Sequence, residues 1–161
     1  MPRLLDLEIK TGWLVVRVIV GALLSVAVFL LLSYLPSNLP EIIRRFVPAE
    51  VSNAAVQVVS GLVHPLLPSL GTVLSILIFL EVLFRKTRAY GPILILAGLV
   101  SALYIYFAFH GGVVTLAIPK GITMGVSASA YFDLTMIMLL VMLPALLTVL
   151  KGVVMAIRHE K

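Results

Sequence analysis

Long apolar runs, rather than short alternating ones, set the pattern of this chain. Four stretches of about 20 mainly apolar residues each reach the length a helix needs to cross a bilayer core. They cover residues 13–35, with the core VIVGALLSVAVFLLLSYL, then 65–84, 92–109 and 132–150, the last with a helical pattern that continues to Ile157. Polar residues gather between these runs. RKTRAYG, between the second and third, is so short that those two spans must be adjacent and antiparallel. The expected architecture is an all-α, up-down-up-down bundle of four transmembrane helices forming a single domain over 1–161.

Two connecting segments have patterns of their own. In 40–63, Asn38, Pro40 and Glu41 suit a helix start ahead of IIRRF. After Pro48, apolar Val51, Ala55, Val58, Val59 and Leu62 alternate at helical spacing with Glu50, Asn53, Gln57 and Ser60, which predicts an amphipathic interfacial helix. The stretch His64, Pro65, Leu66, Leu67, Pro68 then breaks the chain, because each proline removes a backbone donor. One long kinked helix over 50–84 is the competing expectation. In 113–128, β-branched runs flank Pro119, Lys120 and Gly121, which predicts a β-hairpin with a tight turn.

Composition agrees with a lipid environment. The chain is 61% hydrophobic and 12% charged, half the charge that a soluble domain of 161 residues carries on its surface. The first apolar run is longer than the core of a secretory leader and is followed by no small-residue cleavage motif, so it is expected to be retained. Few Asn and Gln and an excess of Val, Ile and Leu fit a thermophilic source, a bias that apolar spans also produce. No internal repeat is visible that would make an inverted-repeat transporter within one chain.

The net charge of +5 is distributed by side rather than in a stripe. With the N-terminus inside, nine cations (Arg3, Lys10, Arg17, Arg85, Lys86, Arg88, Lys151, Arg158, Lys161) face three outside (Arg44, Arg45, Lys120). That bias places both termini on the cytoplasmic side of the cell membrane. No basic run is interleaved with aromatics, so a nucleic-acid partner is not expected. Trp13 and Tyr90 are expected as anchors at the inner interface, with Tyr104, Tyr106 and Phe109 at the outer one. Small residues spaced four apart (Gly21 and Ser25, Gly71 and Ser75, Gly98 and Ala102, Gly152 and Ala156) predict close helix packing.

Candidate chemistry is sparse. The absence of cysteine removes disulfides, thiolate metal sites and thiol catalysis. There is no phosphate loop, no HExxH, no G-x-S-x-G and no selectivity filter. Three charged residues lie in or at the edges of the spans. Arg17 either snorkels to the headgroups or pairs with Glu81; Glu81 pairs with Arg17, pairs with Arg85 one turn on, or relays protons; Asp133 either caps the fourth span or joins a cluster with Lys120, His110 or His64. His64 and His110 fall at the same outer depth on adjacent spans, where they could hold haem b or a divalent metal, with Arg44, Arg45 and Lys120 available to haem propionates. Met136, Met138 and Met142 are packing residues or, in the sharper reading, Cu(I) ligands. The expected function is therefore a non-enzymatic subunit that self-associates or joins a larger membrane complex. A small homo-oligomeric channel or transporter and a haem- or metal-binding redox protein are the other two classes.

Overall fold

The computed structural model describes residues 2–85, 87–118 and 128–158. Among the described residues are six α-helices and one β-hairpin: α1 (Pro2–Phe29), α2 (Leu35–Phe46), α3 (Ala49–Leu62), α4 (Leu67–Phe84), α5 (Tyr90–Ala108), β1 (Val113–Ile118), β2 (Ala128–Asp133) and α6 (Thr135–Arg158). Among the described residues four helical stretches are long and apolar enough to cross a membrane: Gly12–Phe46, Leu67–Phe84, Tyr90–Ala108 and Thr135–Ile157.

The first of these departs from expectation. No new helix starts near Asn38. A π-helical turn (Leu30–Tyr34) joins α1 directly to α2, with the Leu35 N–H bonded to the Leu30 carbonyl five residues back. Proline at position 36 accounts for the irregularity. It has no N–H to give the Leu32 carbonyl, and the wider turn lets the helix continue past that gap. Chain direction changes only at Val47, which is extended (φ −105°, ψ 135°) ahead of Pro48. α3 then packs against α2. The break expected at the HPLLP segment is present. Val63 is extended and α4 begins at Leu67, so 50–84 is not one helix.

The hairpin is also longer than expected. Val113 pairs with Asp133 and Ile118 with Ala128 in an antiparallel register. A tight turn at Pro119, Lys120 and Gly121 would instead pair Ile118 with Ile122. The described second strand is ASAYFD, and the expected turn and the β-branched run after Gly121 lie outside the described residues, Lys120 included. β-propensity misled here because partner choice depends on packing: β1 lies against α3, while Phe132 and Asp133 lead into α6. In consequence α6 starts at Thr135, not Phe132.

Helix packing forms an open row rather than a closed bundle. α1 packs on α4, α4 on α5, and α5 most extensively on α6, while α1 and α6 share no substantial contact among the described residues. Burial follows that order. In the most apolar window of each helix, 28% of residues are buried for α4 and for α5, against 6% for α1 and 17% for α6. Close approach depends on the small residues. A Cβ on Gly98 would meet Val149 Cγ2 at 2.6 Å and one on Gly152 the Ile95 N at 2.8 Å. Leu74, Leu77, Leu94, Ala97, Met138 and Ala145 fill the core of the row. Tyr90 belongs with them at 6% exposure and is not a surface anchor, whereas Trp13 is 59% exposed.

Candidate functional site

Two clusters of polar groups lie toward the Leu67 end of α4. The first surrounds the π-turn. Because Pro36 cannot donate to it, the Leu32 carbonyl needs another partner, and the Tyr104 hydroxyl donates to it at 3.2 Å. Ser33, buried, shares a 3.0 Å hydrogen bond with Thr72. Thr72 also donates to the Pro68 carbonyl, and Ser75 to the Thr72 carbonyl. One turn away, Ser25 donates across to the Ser75 carbonyl at 2.8 Å. Gly71 allows this contact, since a Cβ there would run into the Leu32 carbonyl. These hydroxyls are spent on neighbouring helices, and the result is a polar seam that fixes α1, α4 and α5 in register. Sequence reasoning assigned Tyr104 to an interfacial belt and missed this seam. The signal that could have found it is the spacing of Pro36 from Leu32, four residues along a helix.

The second cluster is the histidine pair. The structure brings His64, in the α3–α4 break, and His110, at the end of α5, into ring contact. Their ring centres are 6.1 Å apart with the planes inclined by 74°, and Phe107 lies 4.6 Å from the His64 ring. His64 Nδ1 accepts the Leu66 N–H at 3.3 Å, which leaves Nε2 to carry the proton in the neutral ring. His110 Nδ1 is buried and has no hydrogen-bond partner among the described residues. The His110 backbone is left-handed (φ 51°), followed by Gly111 (φ 72°) and Gly112 (φ 94°). A non-glycine residue in this conformation is uncommon and strained. The turn connects α5 to α6 through the Leu134 N–H, which donates to the Gly112 carbonyl at 2.7 Å.

The other candidates among the described residues do not join this pair. Asp133 is exposed, and its Oδ1 accepts the Thr135 N–H at 3.0 Å, which caps α6. The Thr135 side-chain and backbone hydrogen bonds hold its carboxyl below the usual aspartate range. Arg45 pairs with Glu41 at 3.4 Å on the exposed face of α2, and Arg44 is exposed near the end of the same helix. Neither arginine is hydrogen-bonded to a histidine among the described residues. No group of three or more His, Cys, Asp or Glu that could hold a metal occurs among those residues. A metal on the two imidazoles would need ligands from outside this set. Met136 is 82% exposed and Met138 6%, so these two methionines do not share a face of α6.

At the opposite end of the row, Arg17 does not pair with Glu81. Its guanidinium lies 5.0 Å from the centre of the Trp13 ring. Glu81 is half-buried and pairs with neither Arg17 nor Arg85, since the only ion pair among the described residues is Arg45 with Glu41.

No protein family, no curated protein and no solved structure matches this chain.

Proposed function

We propose that the chain is a non-enzymatic, multi-pass membrane subunit that acts by assembly, either with copies of itself or with larger membrane subunits. The open row of helices carries this reading. Among the described residues its two terminal helices are covered on one side only, and the hydroxyls of Ser25, Ser33, Thr72 and Tyr104 hold helices together. In this reading the four apolar helices cross the bilayer up, down, up and down, with both termini at the cytoplasmic side, in keeping with the charge bias. The stretch Gly12–Phe46 is then longer than its crossing. Its 35 residues make about 52 Å of helix against a hydrocarbon core of about 30 Å. α2 would therefore stand above the outer surface, with α3 packed along it and against the hairpin.

The test is native mass and composition after gentle detergent extraction. Larger subunits that co-purify in fixed ratio, or a defined oligomer of this chain, agree with the proposal. A monodisperse monomer would contradict it. A symmetric oligomer with Glu81 at its central interface would direct the reading to a small channel or transporter, because Glu81 is a half-buried carboxylate without an ion partner among the described residues.

A further inference from the structure

A groove opens between α1 and α4 at the end of the row away from the histidines. Trp13, Val16, Arg17 and Val20 line it from α1, and Val82 and Arg85 from α4. The four α1 residues fall at i, i+3, i+4 and i+7, so they share one helix face. The cavity measures about 450 Å³, within the range of about 300–1,000 Å³ typical of small-molecule sites. Its exposed wall is almost wholly apolar, and Arg17 and Arg85 are the charged residues among those that line it. Arg17 rests over Trp13, and neither arginine has a carboxylate partner among the described residues. Glu81, one turn before Arg85 on α4, is the nearest carboxylate along that helix, and it does not line the groove.

We propose that this groove binds an anionic glycerophospholipid, with an acyl chain along the valines and the phosphate on Arg17 and Arg85. Two features argue for a lipid over a free phosphate. The walls are hydrocarbon, which a free phosphate would leave unused. The two cations stand where α1 and α4 reach the interface in the membrane reading, on which this inference rests. Basic pockets between transmembrane helices on the cytoplasmic side bind anionic headgroups by this combination of charge and apolar wall. Arg also suits the role because its planar fork matches a phosphate with two parallel hydrogen bonds.

Trp13 is the sole tryptophan of the chain and lies in the groove wall, so its fluorescence reports on the occupant. The full-length protein is reconstituted into bilayers containing either brominated phosphatidylglycerol or brominated phosphatidylcholine at equal mole fraction. The expected result is stronger quenching by the anionic lipid, equivalent to a preference of about threefold or more. The Arg17→Gln/Arg85→Gln double variant brings that preference close to one. Arg88→Gln, which removes a nearby exposed cation outside the groove, leaves it in place. Millimolar inorganic phosphate does not reduce the quenching. Equal quenching by the two lipids in the unmodified protein would overturn the site, as would a loss on Arg88→Gln as large as in the double variant, or displacement by phosphate. Absence of quenching by either lipid would instead overturn the membrane reading beneath it.

Discussion

Gly71 is the residue on which the contact between the first two apolar helices depends most. Any Cβ there collides with the Leu32 carbonyl and comes within 2.9 Å of the Ser33 N. Backbone atoms cannot rotate aside, so Gly71→Ala should destabilise the protein by about 1–3 kcal/mol, as overpacking in a fixed site does. Gly61 provides the control. A methyl group placed there would meet nothing within 4 Å, and Gly61→Ala in a helix should be neutral or stabilising by up to about 1 kcal/mol. Thermal unfolding of both variants in one detergent measures the contrast. Asp133 makes a second prediction at this scale. Its carboxyl is held below the usual aspartate range by its hydrogen bonds with Thr135. The folded form thus favours the ionised group. Its stabilising effect is present above the ordinary aspartate value and lost as pH falls through the lower value of the folded protein. Asp133→Ala should lower the melting temperature at neutral pH, and the gap to the unmodified protein should narrow below about pH 4. A gap that is constant with pH would show that the cap does not depend on the charge.

Among the elements, legibility in the sequence depended on what sets each boundary. Three of the four long apolar helices were legible from length and hydropathy alone, because one property decides them. The first was legible as a span but at neither end, since its helix begins at Pro2 and not near Trp13. Local rules make Pro36 a terminator and Pro40 part of a new helix start, yet Tyr104 from another helix supplies a donor that Pro36 lacks, and the helix continues to Phe46. The hairpin was legible as a hairpin, but its register was not, since β-branched residues after Gly121 do not encode which strand packs best beside α3. The approach of His64 and His110 followed from topology, while the strained backbone that presents His110 had no sequence sign beyond the two glycines after it. The coupling between Pro36 and Tyr104 is testable by a double-mutant cycle. Tyr104→Phe leaves the Leu32 carbonyl without its donor and should cost about 1 kcal/mol. Pro36→Ala restores a backbone N–H near that carbonyl, so the same Tyr104 change should cost less than half as much in that background. Equal costs in both backgrounds would mean that the π-turn has another cause.

For the whole molecule, the open row of the described helices and the charge bias expected from the sequence lead to the same proposed picture: a thin layer of four helices with little interior and apolar exposed flanks, its cations mostly on the cytoplasmic side. Such a molecule gains little from a core of its own, and in the proposed reading its stability depends on lipid and on neighbouring subunits. That picture rests on four crossings with both termini on one side. The chain has no cysteine, so single cysteines can be placed at will. Thr87→Cys lies in the α4–α5 connection, and Asn53→Cys and Ser129→Cys lie on α3 and β2, all three at exposed positions. The decisive experiment is labelling by a membrane-impermeant maleimide in intact cells and again after permeabilisation. With four crossings, Asn53→Cys and Ser129→Cys label in intact cells and Thr87→Cys labels only after permeabilisation. Labelling of all three in intact cells would contradict the four-crossing arrangement, and labelling of Thr87→Cys alone would contradict cytoplasmic termini.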